Sequence, residues 1–115
     1  MAGPLSGVRI VDLSAVVSGP MATGLLADQG ADVIKVEAEG GDMTRRIGPM
    51  QGDLSPLFAS INRGKRSIVL DLKQAAAREV LRDLLGMDDA RLAELAAAGV
   101  FGAQGATQRK QEALA

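Results

Sequence analysis

Three short runs of aliphatic and β-branched residues stand out along the chain: Val8–Leu13 (VRIVDL), Ala31–Glu37 (ADVIKVE) and Ser67–Leu72 (SIVLDL). Each reads as a strand, and their nearly continuous apolar character predicts a parallel sheet covered on both faces. Between the first two runs, Ser14–Gly19 is a small-residue loop. Ser18 offers a helix cap, Pro20 suits a first turn, and Met21, Leu25 and Leu26 share one helical face. Gly30 supplies a left-handed stop. Strand, helix and strand within residues 8–37 make a βαβ unit, hence a parallel pair. The next stretch, from Gly40-Gly41 to Ser60, carries Pro49, Gly52 and Pro56 and shows no regular period. A loop that long is either functional or loosely ordered.

Helical spacing returns after the third strand. Gln74–Leu85 places Val80, Leu81, Leu84 and Leu85 on one side, with Gly86 as its stop. A further helix starts at Asp88 or Asp89, turns Leu92, Leu95 and Ala96 inward and ends near Gly99; the polar tail after Phe101 reads as disordered. The pattern as a whole predicts an α/β fold.

Composition narrows the chemistry. At 115 residues the chain is one domain at most, with a single modest core. A net charge of -1 argues against a general nucleic-acid binder, and Phe58 and Phe101 are the only aromatic residues, too few for base stacking. The chain has neither cysteine nor histidine. That removes disulfides, thiolate chemistry, imidazole bases, the usual serine triads and nearly all zinc sites, so no metal site is expected. No apolar run reaches the length of a membrane span, and the amino terminus lacks the layout of a secretory signal. The expectation is a soluble cytoplasmic protein that binds neither nucleic acid nor membrane.

No local motif names a ligand. Gly19 and Gly24 do not form G-x-G-x-x-G, so the dinucleotide fingerprint is missing. The "GKRS" at Gly64–Ser67 is no P-loop: residue 66 is Arg where Ser or Thr must bind magnesium, and residue 59 is Ala rather than Gly. Placement is more informative. Ser18–Pro20 lies where a parallel strand's carboxyl end meets a helix amino terminus, the usual ligand crevice of open α/β sheets. Arg45 and Arg46 lie in the loop that follows the second strand, and Arg63, Lys65 and Arg66 precede the third. Two basic loops at such a crevice suit a phosphorylated ligand. Solvated charges, or a structural turn, account for the same residues, and spacing leaves both readings open.

Several motifs in order carry a resemblance. They are P-L-S-G-V-R-I-V-D-L at Pro4–Leu13, G-P at Gly19-Pro20, G-A-D-V-I-K-V-E at Gly30–Glu37, G-D-M-T-R at Gly41–Arg45 and N-R-G-K-R-S-I-V-L-D-L-K at Asn62–Lys73. Together they resemble the opening of the family III CoA-transferases, the group that also contains acyl-CoA racemases. The resemblance implies a Rossmann-like parallel β-sheet with flanking helices, incomplete in this chain. It implies coenzyme A or an acyl-CoA as substrate, a carboxylic acid as the second small-molecule partner, and no tightly bound cofactor.

"REVLRDLLGMDDARLAELAAAGVFG" is similar to the family's extreme carboxyl terminus. The expected organisation is therefore a Rossmann-like CoA-binding part over 1–86, the family's last helix over 87–102 and a disordered tail over 103–115. The join falls between Gln74 and Val80, with a central segment missing. In the family's transferases an aspartate carboxylate attacks the acyl-CoA thioester and passes CoA on by way of covalent intermediates. That aspartate belongs to the missing segment. Asp12 and Asp71 are not its counterparts, so no catalytic residue is assigned.

For binding, the resemblance implies that Val17 and Ser18, with Leu70, Asp71, Leu72 and Lys73, line the adenine-nucleotide end of CoA. Lys73 would reach a phosphate as a point charge. Two departures weaken the transfer: some family members have glutamine at position 17 and arginine at position 38, where this chain has Val17 and Ala38. Full-length members form interlocked homodimers, and a chain without the threading segment is expected not to.

Overall fold

The computed structural model describes residues 2–97. Its elements run β1 (Arg9–Asp12), α1 (Ser18–Asp28), β2 (Asp32–Glu37), a 3-10 turn (Met43–Arg46), α2 (Pro56–Ile61), β3 (Arg66–Val69), α3 (Ala75–Leu85) and α4 (Asp89–Ala97). The three strands form one parallel sheet in the order β1-β2-β3, with Arg9 opposite Asp32 and Ile34 opposite Arg66. This is the expected α/β, Rossmann-like sheet with three strands. Helix α1 packs on β1 and β2, and α2 packs on α1 and the 3-10 turn. The chain divides into a compact unit over Met1–Leu81 and a second unit beginning at Arg82.

Burial follows position in the sheet. β2 has a neighbour on each side and is buried at every residue from Val33 to Glu37. β1 and β3 are edges. Arg66, Ser67 and Val69 are exposed and Ile68 is only half-buried, which corrects the expectation that the third strand is fully covered. β3 also ends at Val69, so Leu70–Leu72 lie beyond the strand.

Helix α1 departs from its expected face. Its buried residues are Pro20 and Gly24, whereas Met21 and Leu25 are about half exposed (47% and 51%). The reason is close approach: a Cβ on Gly24 would lie 2.8 Å from the Ile61 carbonyl oxygen, so α1 turns its small residues toward α2. Ser18 does not cap it. Val17 is the N-cap residue and makes no side-chain capping bond. The stops agree with expectation, with Gly30 at φ 98° after α1 and Gly86 at φ 63° after α3.

The stretch from Gly40 to Ser60, expected to be irregular, holds the 3-10 turn and the start of α2. Asp42 caps the first by accepting from the Thr44 amide, and Ser55 caps the second by accepting from the Phe58 amide, with Pro56 at the start of α2. In α3, Ala77 is buried and Val80, Leu81 and Leu84 are half-buried, while Leu85 is exposed. The inward side chains expected at Leu92, Leu95 and Ala96, the stop at Gly99 and the 103–115 tail lie outside the described residues.

Candidate functional site: a cleft at the carboxyl edge of the sheet

Parallel strands deliver their carboxyl ends to one edge, and this chain places buried charge at each of the first two. Asp12 ends β1 and is 2% exposed. Its Oδ1 accepts from the Ser14 amide at 2.9 Å and from the Ser14 hydroxyl. Its Oδ2 accepts from Thr23 Oγ1 at 2.7 Å and from Lys65 Nζ at 2.9 Å. Lys65 Nζ also donates to the Pro20 carbonyl at 2.7 Å and to Asn62 Oδ1 at 2.8 Å, so all three of its protons are used. Burial pushes the Asp12 carboxyl up, but the bonds from Ser14, Lys65 and Thr23 outweigh it and hold the pKa down at about 2.

β2 contributes two more buried groups, spaced by two residues and therefore on one face of the strand. Lys35 Nζ donates to the Ser14 carbonyl at 3.0 Å and pairs with Asp42 Oδ2 at 2.9 Å. Asp42 Oδ1 accepts from the Thr44 amide and hydroxyl at 2.9 and 2.8 Å. Burial raises the Asp42 carboxyl, and the Lys35 ammonium and Thr44 bring it below its usual range. Glu37 takes a two-pronged pair from Arg45 at 2.7 and 2.6 Å, the Ser67 hydroxyl at 2.6 Å and the Asp42 amide at 2.9 Å. The Arg45 bonds lead, and against the burial penalty they lower Glu37 to about 2. Arg45 in turn lies 3.8 Å above the Phe58 ring.

Above these groups opens a cleft of about 700 Å³, walled by residues 13–15 after β1, 35–43 from β2 onward and 70–73 after β3. Leu70, Asp71, Leu72 and Lys73 all stand on this wall. Asp71 is exposed and shapes the turn by accepting from the Lys73 amide at 3.0 Å and from Gln74 Nε2 at 3.3 Å, which lower its pKa. Val17 and Ser18 are not part of the wall. The chain leaves it after Ala15, where Val16 takes φ 69°, a strained value for a β-branched residue.

The basic residues whose role spacing left open all have structural partners. Arg63 pairs with Asp28 at the end of α1, and Arg66 pairs with Asp32 at 2.7 Å. Lys65 is buried on Asp12, Arg45 is held by Glu37, and Arg46 donates to the Gly40 carbonyl at 2.8 Å. On the cleft wall Lys35 is neutralised by Asp42 and Glu37 by Arg45. Glu39, Asp71 and Lys73 are the other charges. The wall is apolar at Leu13, Ala15, Ala38, Leu70 and Leu72.

Comparison with known proteins gives the site its context. Residues 5–110 match the family model described as CoA-transferase family III. The chain is 44% identical over 88 residues to an acetyl-CoA:oxalate CoA-transferase of Acetobacter aceti, covering 76% of this chain and 23% of that protein. It is 47% identical over 94 residues to a succinate–glutarate CoA-transferase of Agrobacterium fabrum, covering 75% and 24% respectively. Among solved structures, a CAIB/BAIF family protein from Brucella suis superposes with a TM-score of 0.66 at 42% identity, over 73% of this chain and 24% of that one. The chain thus spans about a quarter of the length of these relatives. With residues 5–110 matched by the family model, the chain belongs to CoA-transferase family III.

Proposed function

We propose that the cleft receives the adenine-nucleotide end of coenzyme A, as part of an enzyme that moves CoA between an acyl-CoA and a carboxylic acid. The observation that carries this reading is the convergence of Leu70–Lys73 with residues 13–15 on one cleft at the carboxyl edge of three parallel strands. Ligands of open α/β sheets bind at that edge. The relatives named above are CoA-transferases with carboxylate acceptors, which favours transfer over racemisation.

By itself the chain binds CoA weakly and turns nothing over. Only one end of the ligand meets this cleft, so binding is no tighter than roughly millimolar, about -4 kcal/mol. The resemblance places the aspartate that the family uses as nucleophile in a central segment this chain lacks. With no histidine or cysteine there is no substitute imidazole or thiolate. Two measurements on the purified chain test the reading. Titration calorimetry should give weak saturable heat with CoA, and none from a folded chain overturns the binding. An assay of CoA exchange between acyl-CoA and a set of carboxylates should give no turnover; family-like rates would place the chemistry in residues that otherwise only support the fold.

A further inference from the structure

Lys35 is the largest fully buried side chain among the described residues, yet it carries a charge in the central strand. Its ammonium reaches two loops that both contribute to the cleft wall. One bond goes to the Ser14 carbonyl in the loop after β1, and the ion pair goes to Asp42 at the start of the 3-10 turn after β2. Both of these residues line the cleft, and so does Lys35. Each loop is also fixed from its far side. Ser14 is held by Asp12, which Lys65 and Thr23 hold in turn, and Asp42 is held by Thr44 and through its own amide by Glu37. Among these bonds those of Lys35 alone connect the first loop to the second.

We infer that Lys35 is a positioning residue: it sets the width of the cleft by tying the Ser14 loop to the Asp42 turn, and so governs CoA affinity without itself being the group that meets the ligand. The inference rests on the CoA reading of the cleft. An apolar core residue would fill the same space with less desolvation, so stability alone does not call for a charge here. A point charge with three donors can hold two acceptors from different loops, which an apolar side chain cannot.

The test separates positioning from mere stability with two variants of the whole chain. Lys35→Met leaves Asp42 buried without its cation and should lower the melting temperature. Lys35→Met/Asp42→Asn removes both charges and keeps an acceptor for Thr44, so stability should largely return. The tie to Ser14 is still absent in the double variant. Amides at 14–16 and 42–44 should then exchange with solvent about tenfold faster or more, as expected for loss of a hydrogen bond to a charged group, while those at 33–36 keep their protection. CoA affinity by NMR titration should stay about tenfold weaker than wild type in both variants. A double variant that regains stability together with wild-type affinity and wild-type loop exchange overturns the inference. A folded wild-type chain that shows no CoA shifts overturns the functional reading instead, and loop exchange then decides the tie on its own.

Discussion

Lys65→Met is the sharpest perturbation of the architecture beneath the cleft. Lys65 and Asp12 are 53 positions apart in sequence, and both side chains are almost fully buried (2% and 1% exposed). Methionine keeps the length and the apolar stem but removes the ammonium. Asp12 then loses one of its four hydrogen bonds and its ion-pair partner, and the Pro20 carbonyl and Asn62 Oδ1 lose a donor. Breaking a buried pair from one side costs about 3–5 kcal/mol, a large fraction of the 5–15 kcal/mol typical of a whole domain. With an m-value of about 1.5 kcal/mol/M, the urea midpoint should fall by about 2–3 M, or the chain should be unfolded at 25 °C. Far-UV circular dichroism is the probe, because the chain has no tryptophan or tyrosine. Arg63→Ala, two residues earlier in the same loop but in a half-exposed pair with Asp28, should cost less than about 1 kcal/mol. Equal effects of the two substitutions would refute the claim that the basic loop works through one buried lysine.

Acid should destabilise the fold through Asp12 and Glu37, both held at about 2 in the native state. The unfolded chain takes up these protons first, so their stabilisation is present above about pH 4.5 and is lost as pH falls toward 2. It amounts to about 1–2 kcal/mol each after allowance for screening, and a urea midpoint unchanged between pH 6 and pH 3 would contradict it. Gly24→Ala should destabilise by about 1–3 kcal/mol through the clash with the Ile61 carbonyl, whereas Gly40→Ala, with open space around the added carbon, should be near neutral in the same melts. The isolated chain should also self-associate without forming an interlocked dimer, because β1 and β3 are both sheet edges and Val8, Leu13 and Val69 are exposed. Light scattering after size exclusion should show mixed species; a clean monomer with a sharp melt would contradict this.

The βαβ unit was legible because its strands are uniform aliphatic runs and its helix ends at Gly30, whose φ of 98° suits glycine. Helix α2 was hidden by its length of six residues among prolines and glycines, although Ser55-Pro56 is a cap followed by a favoured first position. The ion pairs were not legible, since nothing local links Lys65 to Asp12. A signal did exist for β2: Lys35 and Glu37 alternate within an apolar run, which puts two charges on one covered face and demands buried partners. Leu70–Lys73 are marked by the family motif rather than by any property of their own, and Val17 and Ser18 follow the positive-φ residue Val16, outside the cleft wall.

The most direct test of the CoA cleft is an amide-resolved NMR titration of the wild-type chain with CoA into the tens of millimolar. The account predicts saturable shifts concentrated at 13–15, 38–43 and 70–73, with a dissociation constant of roughly a millimolar or weaker. Shifts confined to other parts of a folded chain, or none at all, would contradict it.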